Sequence, residues 1–263
     1  MGERDVWPPP AGLAAVVCDL DGVVTDTAAV HRRAWAETFD GFLARRAAAG
    51  LVPAQAAAPF SDGDYAAYVD GRPRLDGVRT FLASRGVELP VGTPADPPGD
   101  DTAWAVGNAK DERFVARLAD GVTVFPDAVA FVREARAHGW GAAVVSSSAH
   151  CRQVLGQAGL GDLFSVRVDA QLAAELGLPG KPDPATFVEA ARRLGAAPPA
   201  AVLVEDAAVG VEAGRRGAFG LVAGVDRAGG DPRHLGRWAD VVVPDLDALR
   251  RRLFGSGRGD VRP

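Results

Sequence analysis

The residues best suited to chemistry fall in four short segments. Asp19 and Asp21 stand in the run Asp19-Leu20-Asp21-Gly22-Val23-Val24-Thr25-Asp26-Thr27, which follows the apolar stretch LAAVVC at 13–18. Ser146 closes a second apolar stretch, GAAVVS at 141–146, and opens the triplet Ser146-Ser147-Ser148. Lys181 lies in Gly180-Lys181-Pro182-Asp183-Pro184, and Glu205-Asp206 follows AVLV at 201–204. If the chain turns sharply after Leu20, which Gly22 permits, Asp19 and Asp21 can point into one place. One can then be a nucleophile while the other handles protons. Adjacent acids at a buried strand end are costly unless a cation pairs with them. Hard oxygen ligands without clustered His or Cys suit magnesium. Taken singly, each segment also has a plainer reading: an acidic turn after a strand, a serine cap at a helix start, a lysine on a surface loop.

These segments need elements to hold them. LAAVVC, GAAVVS, AVLV, FGLVA (219–223) and DVVV (240–243) read as short buried strands, and SVRV (165–168) as a further one. Helical patterns lie between them at 127–138, 149–158, 184–195 and 207–217, with a last one at 245–253. Strands alternating with helices predict a parallel sheet covered on both faces, an α/β fold of the doubly wound, Rossmann-like kind. In such a sheet ligands sit beyond the carboxyl ends of the strands, where Asp19 would stand. The stretch 28–118 breaks the rhythm. It predicts one long helix with Val30, Ala34, Phe39 and Leu43 near helical spacing, then a Pro/Gly-rich region, a helix near 75–84, a loop VGTPADPPGDD and a helix near 111–118. It is expected to be a helical insert between the first and second core strands. The core would comprise 13–27 and 119–254, with 1–12 and 255–263 disordered.

Composition narrows the class. The chain has 263 residues, 48% hydrophobic and 24% charged, which fits a globular protein of one large domain or two unequal ones. A run of ~18 uncharged apolar residues, as a membrane span needs, does not occur. A net charge of −5 argues against nucleic acid or an anionic membrane as partner. The opening MGERDVWPPP lacks the basic and apolar regions of a secretion signal. Cys18 and Cys151 are too few for a disulfide framework or a Cys-rich zinc site, so the cytoplasm is the expected location.

What the chain omits is more telling. It has no isoleucine, Asn108 is its single asparagine, and Lys110 and Lys181 are its only lysines beside 27 arginines. This avoidance suggests a GC-rich genome. Wherever a generic positive charge serves, the chain uses arginine. The two lysines are therefore candidates for positions that need a compact ammonium on a slim stem; chance survival explains them equally well.

In order, strand context and spacing, the four segments resemble the haloacid dehalogenase superfamily of phosphotransferases. The resemblance implies that Asp19 is a nucleophile forming an aspartyl phosphate. Asp21 would be the general acid/base, its backbone carbonyl also binding magnesium. It implies that Ser146 and Lys181, with Ser147 and Ser148 nearby, hold the phosphoryl group, and that Glu205 and Asp206 complete the metal site. The helical insert is similar to that family's cap domain. A closer resemblance is to the β-phosphoglucomutase-like family, in an actinobacterial branch. It rests on His31 in DLDGVVTDTAAVHRRAW, Arg74 in Gly71-Arg72-Pro73-Arg74 and Lys110 in Gly107-Asn108-Ala109-Lys110. It implies that His31 positions Asp21 for proton transfer, Arg74 grips the substrate's distal phosphate, and Lys110 lies near the sugar.

The implied reaction converts β-D-glucose 1-phosphate to glucose 6-phosphate through β-glucose 1,6-bisphosphate. The expected partners are magnesium and a small sugar phosphate, and the expected state is a monomer. A phosphatase with the same aspartyl phosphate is the alternative, and an inactive binding protein on this fold a third reading. One departure matters. Where the family can carry Ser-Lys-Asn, this chain has Ser148-Ala149-His150, so a distal phosphate pocket has lost a charge that Arg72 or Arg152 would have to supply.

Overall fold

Short valine-rich runs bounded by turns form a six-stranded sheet: β1 (Ala15–Asp19), β2 (Gly141–Val145), β3 (Val166–Val168), β4 (Ala201–Glu205), β5 (Leu221–Val225) and β6 (Val241–Val243). The computed structural model describes residues 9–119, 121–227, 229 and 233–255; the expected disorder at 1–8 and 256–263 lies outside the described residues. The strand order is β3-β2-β1-β4-β5-β6 and every pairing is parallel. β1, β4 and β5 are buried along their whole length, as strands with helices on both faces must be. The longer helices, in chain order, are α1 (Ala28–Ala48), α2 (Arg74–Ser84), α3 (Ala103–Leu118), α4 (Pro126–Ala137), α5 (Cys151–Gln157), α6 (Ala170–Glu175), α7 (Ala185–Arg193), α8 (Ala208–Arg216) and α9 (Leu246–Phe254). Among the described residues no helix is long and apolar enough to cross a membrane.

The chain winds outward from β1 to β2 and β3, then returns to lay β4, β5 and β6 on the other side of β1. The strand order therefore reverses between β1 and β4, and the crevice beyond their carboxyl ends is where such sheets bind ligands. Val17, Leu203, Phe187, Val211 and Val222 pack in one core cluster around these strands.

The chain divides into two compact units, residues 1–26 with 123–263, and residues 27–122. The second has its own aromatic core. Trp35, Phe39 and Phe42 on α1 recur at helical spacing and meet Phe60, Val78 and Phe81. The Phe39 ring lies 4.2 Å from Phe81 and 4.9 Å from Trp35. Two expectations are corrected here. α3 begins at Ala103 and not near 111, because the Thr102 hydroxyl caps it by accepting the Ala105 N–H at 3.0 Å. Gly107 lies inside this helix, where the Arg74 side chain packs on it. The Pro/Gly-rich region also carries short helical turns at Ala54–Ala57, Asp62–Asp64 and Tyr65–Val69.

Phe39 joins most of this aromatic cluster. Phe39→Ala should therefore destabilise the insert by about 3–5 kcal/mol, read from denaturant unfolding followed by tryptophan fluorescence. A loss below about 1 kcal/mol would mean that the cluster does not hold this unit together.

Candidate active site

The first strand delivers Asp19 to the sheet edge at 5% exposure. The chain then closes on itself. The Leu20 carbonyl accepts the N–H groups of Val24 and Thr25, and the Gly22 N–H donates to the Thr25 carbonyl at 2.7 Å. Gly22 sits at φ +89°, a conformation that a side chain would strain. The turn brings the Asp21 N–H to Asp19 Oδ2 at 2.8 Å, and the Ser146 hydroxyl, at the end of β2, donates to Asp21 Oδ2 at 2.9 Å.

Lys181 enters from the loop before α7, 3% exposed. Its ammonium donates to Asp19 Oδ1 and, at 2.5 Å, to Glu205 Oε1. The other Glu205 oxygen accepts the Ala207 N–H at 2.6 Å. Glu205 is wholly buried, and both of its oxygens are taken by protein donors. It was expected beside a metal; its geometry makes it the anchor of Lys181. Asp206 turns the other way and lies on the Asp19–Gly22 turn, so close that a Cβ at Gly22 would stand 1.9 Å from Asp206 Oδ2.

Burial, the largest influence, pushes the Asp19 carboxyl well above the ordinary carboxylate range; the Lys181 ammonium opposes it, and Glu205 and Asp21 reinforce it. Burial alone would also disfavour the Lys181 ammonium, but Asp19 and Glu205 outweigh it and hold its pKa above the usual lysine value. Both directions reflect one charge balance. Asp19 and Glu205 bring two buried carboxylates to one ammonium, with the Asp21 charge close to Asp19. Among the described residues no three His, Cys, Asp or Glu side chains form a ready-made metal cage. The Asp19 and Asp206 carboxylates both lie at the turn around Gly22. Hard oxygen donors of this kind suit a cation that keeps its waters and takes one or two carboxylates.

The serine triplet organises its own turn. Ser146 Oγ accepts the Ser148 N–H at 3.1 Å, and Ser148 Oγ accepts the His150 N–H at 3.2 Å. Ser147 is half-buried beside them. Cys18 and Cys151 are buried and free, and burial pushes both thiols up, so neither is an available nucleophile.

The insert gathers its own candidates separately. His31 Nδ1 lies 2.6 Å from Lys110 Nζ, and the His31 ring stacks on Phe114 at 3.9 Å. Lys110 is 4% exposed, its ammonium 5.1 Å from the Trp35 ring centroid and 4.5 Å from that of Phe114. Arg74 donates to Asn108 Oδ1 at 2.9 Å and pairs with Asp111 at 2.8 Å.

Two residues escaped the sequence reading. Arg227, just past β5, donates to the carbonyls of Gly22 at 3.2 Å and Val23 at 3.0 Å, and to Asp127 at 3.0 Å. Its guanidinium stands 3.8 Å from the Phe125 ring centroid. It thus clamps the turn that carries Asp21. Its position after a strand was a signal, lost among so many arginines. The other is Gly210 in α8, where a Cβ would stand 1.7 Å from Glu205 Oε1. Glycine inside a helical pattern, here Gly210 and Gly214, was the available signal.

Fold and site define the class. The sequence matches the haloacid dehalogenase-like hydrolase family over residues 13–217; the chain belongs to this family and is an enzyme, a phosphotransferase or phosphatase. Among individual relatives, proteins named β-phosphoglucomutase from Mycobacterium bovis and Mycobacterium tuberculosis are each 44% identical to it over 247 residues, covering 91% of this chain and 92% of theirs. A solved β-phosphoglucomutase from Clostridium difficile shares the fold with a TM-score of 0.70 at 20% identity, covering 90% of this chain and 93% of that one. A haloacid dehalogenase family hydrolase from Deinococcus radiodurans, solved with bound phosphate and sodium, matches with a TM-score of 0.64 at 26% identity over 94% of this chain and 98% of that one.

The tight fit over Gly210 is open to test. Gly210→Ala should displace Glu205 from Lys181, lower stability by about 1–3 kcal/mol despite the better helix former, and depress phosphate-ester turnover. Thermal melting and a turnover assay check this; a variant equal to wild type in both would show that Glu205 does not depend on that space.

Proposed function

We propose that this enzyme is a magnesium-dependent β-phosphoglucomutase, converting β-D-glucose 1-phosphate to glucose 6-phosphate through β-glucose 1,6-bisphosphate. The observation that carries the reading is the Asp19 carboxylate, oriented at one oxygen by Lys181 and at the other by the Asp21 N–H. Asp19 attacks the phosphorus, forming an aspartyl phosphate as the bond to the leaving oxygen breaks. Asp21 gives its proton to that oxygen, and later takes one from the sugar hydroxyl that attacks the phosphoenzyme. Lys181 and Ser146, with Ser147 and Ser148 beside them, hold the transferred phosphoryl. Glu205 keeps Lys181 in place. The Asp19 and Asp206 carboxylates and the Asp21 carbonyl would hold magnesium, which would supply neutralisation of phosphoryl charge.

The choice of acceptor rests with the insert. Arg74 binds the phosphate that is not being transferred, so that the bisphosphate can be used from either end. The Lys110 ammonium donates to His31 Nδ1 and so fixes the tautomer protonated at Nε2, a donor of the kind that positions a carboxylate such as Asp21. This supports a mutase, as does the 44% identity to proteins of that name. The alternative, hydrolysis of a small phosphate ester, is favoured by Ala149-His150, which supply no lysine for a second phosphate.

Asp19→Ala should abolish phosphoryl transfer with the fold intact by circular dichroism, and beryllium fluoride with magnesium should form an adduct at Asp19 in a crystal. Residual turnover near the wild-type rate, or no adduct, would sink the aspartyl-phosphate reading. Asp206→Asn should raise the magnesium requirement steeply, and full activity in excess EDTA would contradict the metal assignment.

A coupled assay of β- against α-glucose 1-phosphate, with and without bisphosphate, separates the two reactions. His31→Ala and Arg74→Ala should each depress mutase turnover by ~100-fold, well beyond their effect on a small ester. Lys110→Arg should be nearly as harmful as Lys110→Ala, because a planar fork does not fit between Trp35 and Phe114. An enzyme that hydrolyses many esters and never isomerises this sugar phosphate is a phosphatase.

A further inference from the structure

We infer that Asn108 is a positioning residue that aims Arg74 at an anionic group of the substrate and locks the 92–102 loop to that arginine. The inference rests on the reading of Arg74 as a phosphate-binding residue. It starts from an oddity of composition. A chain that uses asparagine once has kept it at position 108, and there every part of the side-chain amide is engaged. Oδ1 accepts from Arg74 Nη1 at 2.9 Å, while Nδ2 donates to the Asp96 carbonyl at 2.8 Å and the Pro94 carbonyl at 3.2 Å. Aspartate offers no N–H for those carbonyls. Glutamine has another methylene to place.

The surroundings show what this achieves. The stem of Arg74 lies on Gly107, where a Cβ would stand 3.0 Å from its Cδ. Its second terminal nitrogen pairs with Asp111 at 2.8 Å. One face of α3 therefore fixes the guanidinium at its stem and at both ends, and these bonds use two of its five N–H groups. The side chain keeps 23% of its surface exposed. The remaining fork is suited to two parallel bonds to a phosphate or carboxylate. Asp111 already balances the arginine's charge. A neutral amide can orient the guanidinium without adding a second negative charge, which would repel an incoming dianion.

The amide's other end grips a loop that is itself tightly bonded. Asp96 accepts from the Thr93 hydroxyl at 2.7 Å and the Thr102 hydroxyl at 2.5 Å, and Thr102 caps α3. Gly92, at φ +72°, turns beneath them, where a Cβ would meet Asp96 and Thr102. Loop and arginine thus move together or not at all.

A double-mutant cycle tests this on the full-length enzyme. kcat and KM would be measured for β-glucose 1-phosphate with bisphosphate activator, and for p-nitrophenyl phosphate, alongside melting temperatures. Asn108→Ala should lower kcat/KM for the sugar phosphate by ~10-fold, mostly through KM and more than for the small ester. Asn108→Asp, nearly isosteric, should be worse than Asn108→Ala because it adds charge beside Arg74. It also carries the test if the alanine variant does not fold. Combined with Arg74→Ala, either substitution should add little to the loss from Arg74→Ala alone. Arg74→Ala affecting both substrates alike would refute the phosphate role of Arg74 itself. If Arg74→Ala is selective but the Asn108 loss adds in full, Asn108 does not act through Arg74. If Asn108 variants lower melting temperature and both substrates equally, the residue is structural and the inference is wrong.

Discussion

The Lys181 ammonium, buried between Asp19 at the end of β1 and Glu205 at the end of β4, is the interaction on which the rest of the site depends. β1 and β4 are neighbours in the sheet, with Cys18 opposite Val204, so their carboxyl ends bring two carboxylates together away from water. Without a cation between them that arrangement is electrostatically untenable. An arginine at 181 would spread its charge over a wide fork and prefer bidentate partners on one side. A lysine brings a point charge that two separate carboxylates can share. Removing one partner of such a buried set typically costs about 3–5 kcal/mol, because it strands the charge that remains. Stability and the proposed chemistry are therefore bound together here, since the lysine that makes the acid pair foldable also orients the Asp19 carboxylate.

Room for these charges comes from missing side chains. Gly22 leaves space for Asp206 and Gly210 leaves space for Glu205. Gly210 sits inside α8, where glycine is less favourable than alanine by roughly 1 kcal/mol. That cost is offset if the carboxylate it admits holds Lys181. Arg227 serves the same end from outside, donating to two carbonyls of the turn at the sheet edge.

The sheet was legible because its strands are short valine and alanine runs with turn signals after them, a pattern that buried parallel strands require. The acids and Lys181 were legible for a different reason, since each follows such a run or breaks a strong compositional bias. Where the bias ran the other way, reading failed. Arg227 is one arginine among 27 and carries no mark of its own. α3 was read too short; Gly107 and Asn108 lie inside it, with the side chain of Arg74 laid across them. For Glu205 the sequence shows that an acid is present at a strand end and not which donors face it. Only the Lys181 and Ala207 bonds reveal that its oxygens are taken.

The roles proposed for the two units follow from the same facts. In the proposed mechanism an aspartyl phosphate at Asp19 would be attacked by whatever nucleophile is delivered in line, and water is always at hand. Nothing in the Asp19, Asp21, Ser146 and Lys181 arrangement distinguishes a sugar hydroxyl from water, because all four act on the phosphoryl or on a proton. Discrimination requires groups that recognise the rest of the substrate, and the insert holds an arginine fixed at three points and an imidazole fixed by a buried lysine. Both are held before any ligand arrives, so little side-chain ordering is left for the substrate to supply. A phosphatase serving many esters gains nothing from such rigidity, whereas an enzyme that must accept one bisphosphate from either end does. The cost of building these contacts is thus itself an argument for selective transfer.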